Sequence, residues 1–277
     1  MTLTQPPSNA ARTPHPRIAV ICHDGDSVNS EFLPRWLAGF ADVVAIIVIR
    51  EGLAPQIRRL RAEYRRVGFW RLFDILAFRL YYRIFLAAGD RAWERSQLKR
   101  LTASMRATPA EFPTLMTPNP NDARVTDFLR RAAPDLMVAR CKWLLKRSVY
   151  EIPSFGTFVL HPGICPQYRN AHGCFWALAC NDPANVGVTL LRIDDGIDTG
   201  PIYEFFRYRF DAATESHIRI QERAVLENLD GIRGKLLEIA ARRAQPLPVA
   251  ADQSRNWGQP WLSAFLRWRR TARKLAP

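Results

Sequence analysis

Two periodicities alternate along the chain. Ile18 to Cys22 is an unbroken apolar run that stops at the turn His23-Asp24-Gly25-Asp26, and Asp42 to Ile49 is a second, β-branched run. Both read as buried strands. Between them Asn29 or Ser30 is placed to cap a helix ending near Phe40, so residues 17–50 predict a β-α-β unit. Phe112 to Met116 predicts a third strand, Asp122 to Ala132 a helix capped by Asn121, and Asp135 to Arg140 another strand behind Pro134. A helical turn over Arg147 to Glu151 follows, then an apolar run from Thr157 to Leu160. A short helix (Cys174 to Cys180) and a strand (Val186 to Ile193) come next. Ile202 to Phe210 alternates like an antiparallel or edge strand. Ala213 to Arg243 carries apolar residues near helical spacing and predicts one long amphipathic helix, ended by Pro246 and Pro248. Strands alternating with helices predict an α/β, Rossmann-like architecture with a mostly parallel sheet flanked by helices.

Two segments interrupt that rhythm. Within residues 55–106, Arg58 to Arg66 reads as a basic helix, and Gly68 to Gly89 is dense in aromatic and aliphatic residues. Arg71, Asp74, Arg79 and Arg83 punctuate the second part, which argues against a bilayer-spanning helix and leaves one apolar face on a helical wheel. That face is expected either to pack on the domain or on a second subunit of a homodimer, or to lie at a membrane interface. The tail, 245–277, repeats the theme with Trp257, Trp261, Phe265 and Trp268 among Arg267, Arg269, Arg270, Arg273 and Lys274. The expected organisation is a disordered Pro-, Ser- and Thr-rich leader over 1–16 and a domain over 17–244 containing the helical insertion 55–106. A basic aromatic tail over 245–277 completes it.

Charge sharpens this division. The 277-residue chain carries a net +14. Thirteen Lys/Arg against four Asp/Glu fall in 55–106, and six against one in 245–277, so these two segments hold the whole excess. Their expected partners are an anionic membrane surface or nucleic acid. Five cysteines without a CxxC pair suit reduced thiols and a cytoplasmic, membrane-peripheral protein. No GxGxxG follows the first strand, and there is no GxSxG elbow or Walker loop, so nicotinamide, serine-hydrolase and NTPase chemistry lack support. No spacing of His, Cys, Asp or Glu suggests a metal site.

The chemistry concentrates in Val159 to Tyr203. His161 ends an apolar run and opens a polar loop through Tyr168, Arg169, Asn170 and His172, and a second turn follows the Val186–Ile193 strand over Asp194 to Pro201. An imidazole and carboxylates on two turns that both follow strands are expected to converge at one end of a sheet, where open α/β sheets place their ligands.

His161-Pro162-Gly163-Ile164-Cys165-Pro166, followed by Asp198-Thr199-Gly200-Pro201, resembles the signature of the formyltransferase family. That family includes the glycinamide ribonucleotide, methionyl-tRNA and sugar-nucleotide formyltransferases. The resemblance implies a Rossmann-like formyltransferase fold and transfer of a formyl group from 10-formyltetrahydrofolate to an amine on a small or sugar-like acceptor. It further implies that His161 supplies the imidazole and Asp198 orients it. Leu144 and Leu145 would touch the pterin, Asp194, Asp195 and Gly196 would wrap it with main-chain groups, and Tyr168 and Arg169 would line the acceptor site. The tail is too short for the second domain of methionyl-tRNA formyltransferases, which argues against initiator tRNA as acceptor.

One signature position departs. Where the family has an Asn whose amide donates to the formyl oxygen, this chain has Val159. Losing one oxyanion donor typically costs about 10² to 10³ in rate. The Asn170 amide, a protonated His172 or the main chain at Gly163 are the candidate replacements. Without one, the expectation is a catalytically impaired, ligand-binding version of the fold, or a nucleic-acid binder acting through its basic segments.

Overall fold

Arg17–His23 (β1) is a strand because Ile18 to Cys22 are fully buried on both sides of a sheet, where only a paired backbone satisfies its own polar groups. The computed structural model describes residues 15–103, 105, 111–250 and 253–275, so residues 1–14 of the expected leader lie outside the described residues. The further strands are β2 (Asp42–Ile49), β3 (Thr114–Thr117), β4 (Leu136–Arg140), β5 (Thr157–Pro162), β6 (Arg169–Asn170), β7 (Val188–Arg192), β8 (Ile202–Phe206) and β9 (Asn256–Trp257). Seven form one sheet in the order β3-β2-β1-β4-β5-β7-β8. The first five run parallel, whereas β7 is antiparallel to both β5 and β8. The short β6 and β9 pair separately, joining the polar loop after β5 to the tail.

Helices cover both faces. On one, α1 (Leu33–Ala38), α7 (His217–Leu226) and α8 (Leu229–Ala240) pack on Ile18, Val20, Val138, Phe158 and Leu160. On the other, α4 (Ala123–Ala132) and α5 (Arg147–Tyr150) pack on Ala19, Ile21, Met137 and Ala139. The remaining helices are α2 (Leu53–Phe85), α3 (Ala87–Ala103), α6 (Gly173–Ala179) and α9 (Leu262–Leu275). Phe78 of α2, Phe175 and Trp176 of α6 and Phe265 and Trp268 of α9 share a third core. The two basic segments are thereby packed against the helix that follows the motif loop.

Local side-chain chemistry corrects several boundaries. Asp122 caps α4, accepting the Arg124 N–H, while Asn121 bridges the Leu144 carbonyl and the Lys146 N–H across the loop after β4. Asn29 caps nothing. It is buried in a π-helical turn, where its side chain bonds Asp26 and Arg140. The single helix expected over Ala213 to Arg243 is two, because the Asn228 amide takes the Ala224 carbonyl and breaks the ladder between α7 and α8. The strand expected to reach Phe210 ends at Phe206. In α2, Gly68 breaks the helix with φ 77° and ψ 174°, an extended positive-φ conformation that costs other residues about 1–3 kcal/mol.

Candidate active site

Sheet register decides how the two halves of the motif meet. His161 lies beside Thr189 and Phe158 beside Arg192 in antiparallel pairing, so the turn after β7 leaves the sheet at the end remote from His161. The two turns therefore do not share an end. Instead the segment from Ile193 to Pro201 folds back over the face that carries Val159 and His161. Gly200 permits the return, since a Cβ there would sit 1.9 Å from the Arg192 carbonyl oxygen.

At the top of this return Asp198, in a left-handed conformation (φ 51°), places Oδ2 3.2 Å from His161 Nδ1 and accepts the Asn170 main-chain N–H at 2.7 Å. His161 Nε2 lies 2.7 Å from the Tyr168 carbonyl oxygen. A carbonyl only accepts, so Nε2 is the donor in that contact. The ring is 3% exposed, with both nitrogens engaged. Beneath it the fully buried Thr189 hydroxyl donates to the Gly163 carbonyl at 2.6 Å and accepts the Cys165 N–H at 3.0 Å, pinning the turn after His161. Gly163, at φ 152°, packs so tightly that a Cβ would lie 2.7 Å from the Gly173 Cα.

The other motif residues take different places. Val159 packs beside Cys165 and Leu191 and offers no donor. The Asn170 side-chain amide donates to Asn256 Oδ1 at 2.8 Å and to the Trp257 carbonyl at 2.6 Å, so it faces the tail rather than the His161 ring. What Asn170 gives the pair is its backbone N–H. His172 is pushed down to about 4, chiefly by burial and then by Lys142 and Arg79, so at neutral pH it is uncharged and no protonated donor arises there. Tyr168 is buried, with its hydroxyl donating to Asp182 at 2.8 Å, and contributes its carbonyl. Arg169 donates to the Ile197 carbonyl at 2.9 Å, tying the loop to the returning turn. That turn closes on itself, as Asp194 accepts the Gly196 N–H at 2.9 Å and the Thr199 hydroxyl at 2.7 Å. Asp195 accepts the Tyr150 hydroxyl at 2.5 Å. Leu144 is 60% exposed, whereas Leu145 is buried in the core with Tyr150.

A second polar cluster escaped the sequence reading. Arg140 ends β4 one residue beyond Ala139 and so faces away from His161. There it donates to Asn29 Oδ1 at 2.8 Å and to the Leu160 carbonyl. Near it, burial pushes the half-buried Glu222 carboxyl up to about 7, with Asp26 and Glu94 reinforcing and Arg140 opposing the rise. The guanidinium closing an apolar strand was a visible signal; Glu222 looks like any polar residue of an amphipathic helix. Because the folded protein holds the Glu222 proton more tightly than the ordinary value of 4.5, its stability contribution is complete below that pH and lost as pH rises through about 7. Glu222→Gln is therefore expected to melt higher relative to wild type at pH 8 than at pH 5, read by thermal unfolding at both. A pH-independent difference would remove Glu222 from this cluster.

A parallel sheet extended by two antiparallel strands, with a His–carboxylate pair over β5, defines an α/β fold with a polar site on one face of its sheet. The chain belongs to the formyl transferase family, whose sequence profile matches residues 90–234, just over half its length. It is similar to the methionyl-tRNA formyltransferase of Halorhodospira halophila (strain DSM 244 / SL1), 37% identical over 131 residues, covering 47% of this chain and 42% of that one. The corresponding protein of Syntrophus aciditrophicus (strain SB) is 33% identical over 107 residues, covering 38% and 34%. The chain thus spans less than half the length of either relative. Its fold is that of a sugar N-formyltransferase from Shewanella sp FDAARGOS_354, with a TM-score of 0.53 at 12% identity over 93% of this chain and 87% of that one. A phosphoribosylglycinamide formyltransferase from Anaplasma phagocytophilum gives 0.52 at 13% identity over 82% and 88%.

Proposed function

We propose that the chain transfers a formyl group from 10-formyltetrahydrofolate to the amine of a small or sugar-like acceptor. The observation that carries this reading is the contact between His161 and Asp198, brought together by a turn that must cross the sheet face to make it. The residues bordering that turn suit a folate. Leu145 and Tyr150 pack together, the Tyr150 hydroxyl reaches Asp195, and Leu144 is left as an exposed apolar side chain on the same segment. An apolar wall beside a turn rich in main-chain polar groups fits the face and edge of a pteridine. On the loop that follows His161, His172 Nδ1 is buried without a hydrogen-bond partner among the described residues, which suits a hydroxyl-rich amine.

Attack of an amine on a formyl carbon places negative charge on the carbonyl oxygen and requires a proton to leave the nitrogen and another to reach the departing folate amine. The His161 imidazole, faced by the Asp198 carboxylate at Nδ1, is the group placed for proton transfer. It would take the proton leaving the attacking nitrogen and return one to the departing folate amine. Incubation with labelled 10-formyltetrahydrofolate and candidate amino sugars tests the reading through formyl-amide product. Folate binding without turnover of any amine would reduce the site to a ligand-binding one. Asn170→Ala is expected to retain transfer within about tenfold of wild type, because the main-chain N–H remains. A loss of about 10² or more would instead make its amide an oxyanion donor.

A further inference from the structure

The two basic aromatic segments, far apart in sequence, form one surface. Arg71 stacks its guanidinium 4.0 Å over the Trp261 ring, Asp74 accepts from the Ser263 backbone and hydroxyl, and Phe78 and Tyr81 pack on Phe265. These contacts use the inner side of α2. Its outer side keeps Phe69, Trp70, Phe73, Leu76, Leu80 and Ile84 exposed, Trp70 at 82%. Their spacing places them in one stripe down the helix from Gly68 to Phe85, about 25 Å long. Arg79 and Arg83, both exposed, border the stripe on one side. On the other side α9 brings the exposed Leu266 with Arg270, Arg273 and Lys274, which line an open groove of about 580 Å³ together with Phe85.

We propose that this face docks in the plane of an anionic lipid bilayer. Aliphatic and aromatic side chains in an uninterrupted stripe match the acyl boundary, and cations along both borders match acidic headgroups; a nucleic-acid groove would instead place the cations under the ligand. The complementarity is large, because the two segments meeting here hold the whole excess of the net +14. Among the described residues no helix is long and apolar enough to cross a membrane, so the surface lies on the bilayer rather than through it.

Vesicle flotation of the full chain tests the proposal. Wild type is expected to float with phosphatidylcholine vesicles containing roughly one-third phosphatidylglycerol at about 0.1 M salt, to be released at about 1 M salt, and not to float with phosphatidylcholine alone. The exposed triple variant Trp70→Ser, Phe73→Ser, Leu80→Ser and the quadruple variant Arg79→Glu, Arg83→Glu, Arg270→Glu, Lys274→Glu are each expected to lose at least about tenfold in partitioning. Circular dichroism is expected to show both folded. Wild type that stays at the bottom of the gradient overturns the proposal, as does equal flotation with neutral vesicles. So does a wild-type dimer in sedimentation that the triple variant abolishes without any lipid binding, which would make the stripe a contact between two copies. Equally fatal would be salt-sensitive RNA binding, lost in the quadruple but not the triple variant, in a wild type that ignores vesicles.

Discussion

His161→Ala is expected to reduce formyl transfer by about 10² to 10⁴, the range for a positioned proton-transfer group, while the chain stays folded. The ring engages two groups at once, the Tyr168 carbonyl at Nε2 and the Asp198 carboxylate facing Nδ1. Its removal leaves that carboxylate with the Asn170 N–H as its hydrogen-bond donor among the described residues, in a largely buried site. The structural cost is therefore about 1–3 kcal/mol, set by desolvation of the abandoned acceptor. Rate and stability separate the two roles. Single-turnover kinetics with labelled formyl donor measure the first, and thermal unfolding measures the second. A variant that transfers formyl at the wild-type rate would remove His161 from the chemistry altogether.

The second large effect lies in the tail. Trp257 stacks on Trp176 with ring centroids 4.7 Å apart and on Tyr168 at 5.8 Å, and its indole donates to the Gln167 carbonyl at 2.9 Å. These contacts hold the loop whose Tyr168 carbonyl and Asn170 N–H grip the His–Asp pair. Trp257→Ala is expected to cost about 3 kcal/mol of stability, the low end for losing a large aromatic side chain, since the residue is only half-buried. It is also expected to lower kcat by about ten- to a hundredfold, because an ångström of misplacement at a reacting group has that effect. Unfolding midpoints and kcat measured on the same preparation check both. A lower midpoint with unchanged kcat would show that the tail steadies the fold but not the site.

Where backbone demand and side-chain type agree, the sequence was readable. The runs Ile18–Cys22, Asp42–Ile49 and Asp135–Arg140 read as strands because each is a short apolar run bounded by turn residues, the pattern of a strand buried on both faces. The pairing of His161 with Asp198 was also legible, but only as a motif. The strand register that forces the second turn to cross the sheet is a long-range property that no local pattern encodes. The same limit hid the fate of Asn170. Its amide was free to be assigned anywhere until Asn256 and Trp257, far along the chain, claimed it. Competition at short range caused the remaining misreadings, as where Asn228 bonds Ala224 and splits a helix whose apolar spacing continues unbroken.

The pairing of β6 with β9 has a consequence for how the protein matures. Arg169 and Arg255 exchange main-chain hydrogen bonds with the opposite segment, so the loop after β5 takes its final form only with a partner that is made much later. On a ribosome the sheet can assemble as its strands emerge, yet the imidazole would wait, unclamped, until Trp257 has left the exit tunnel. Closure of the loop around His161 therefore follows assembly of the sheet.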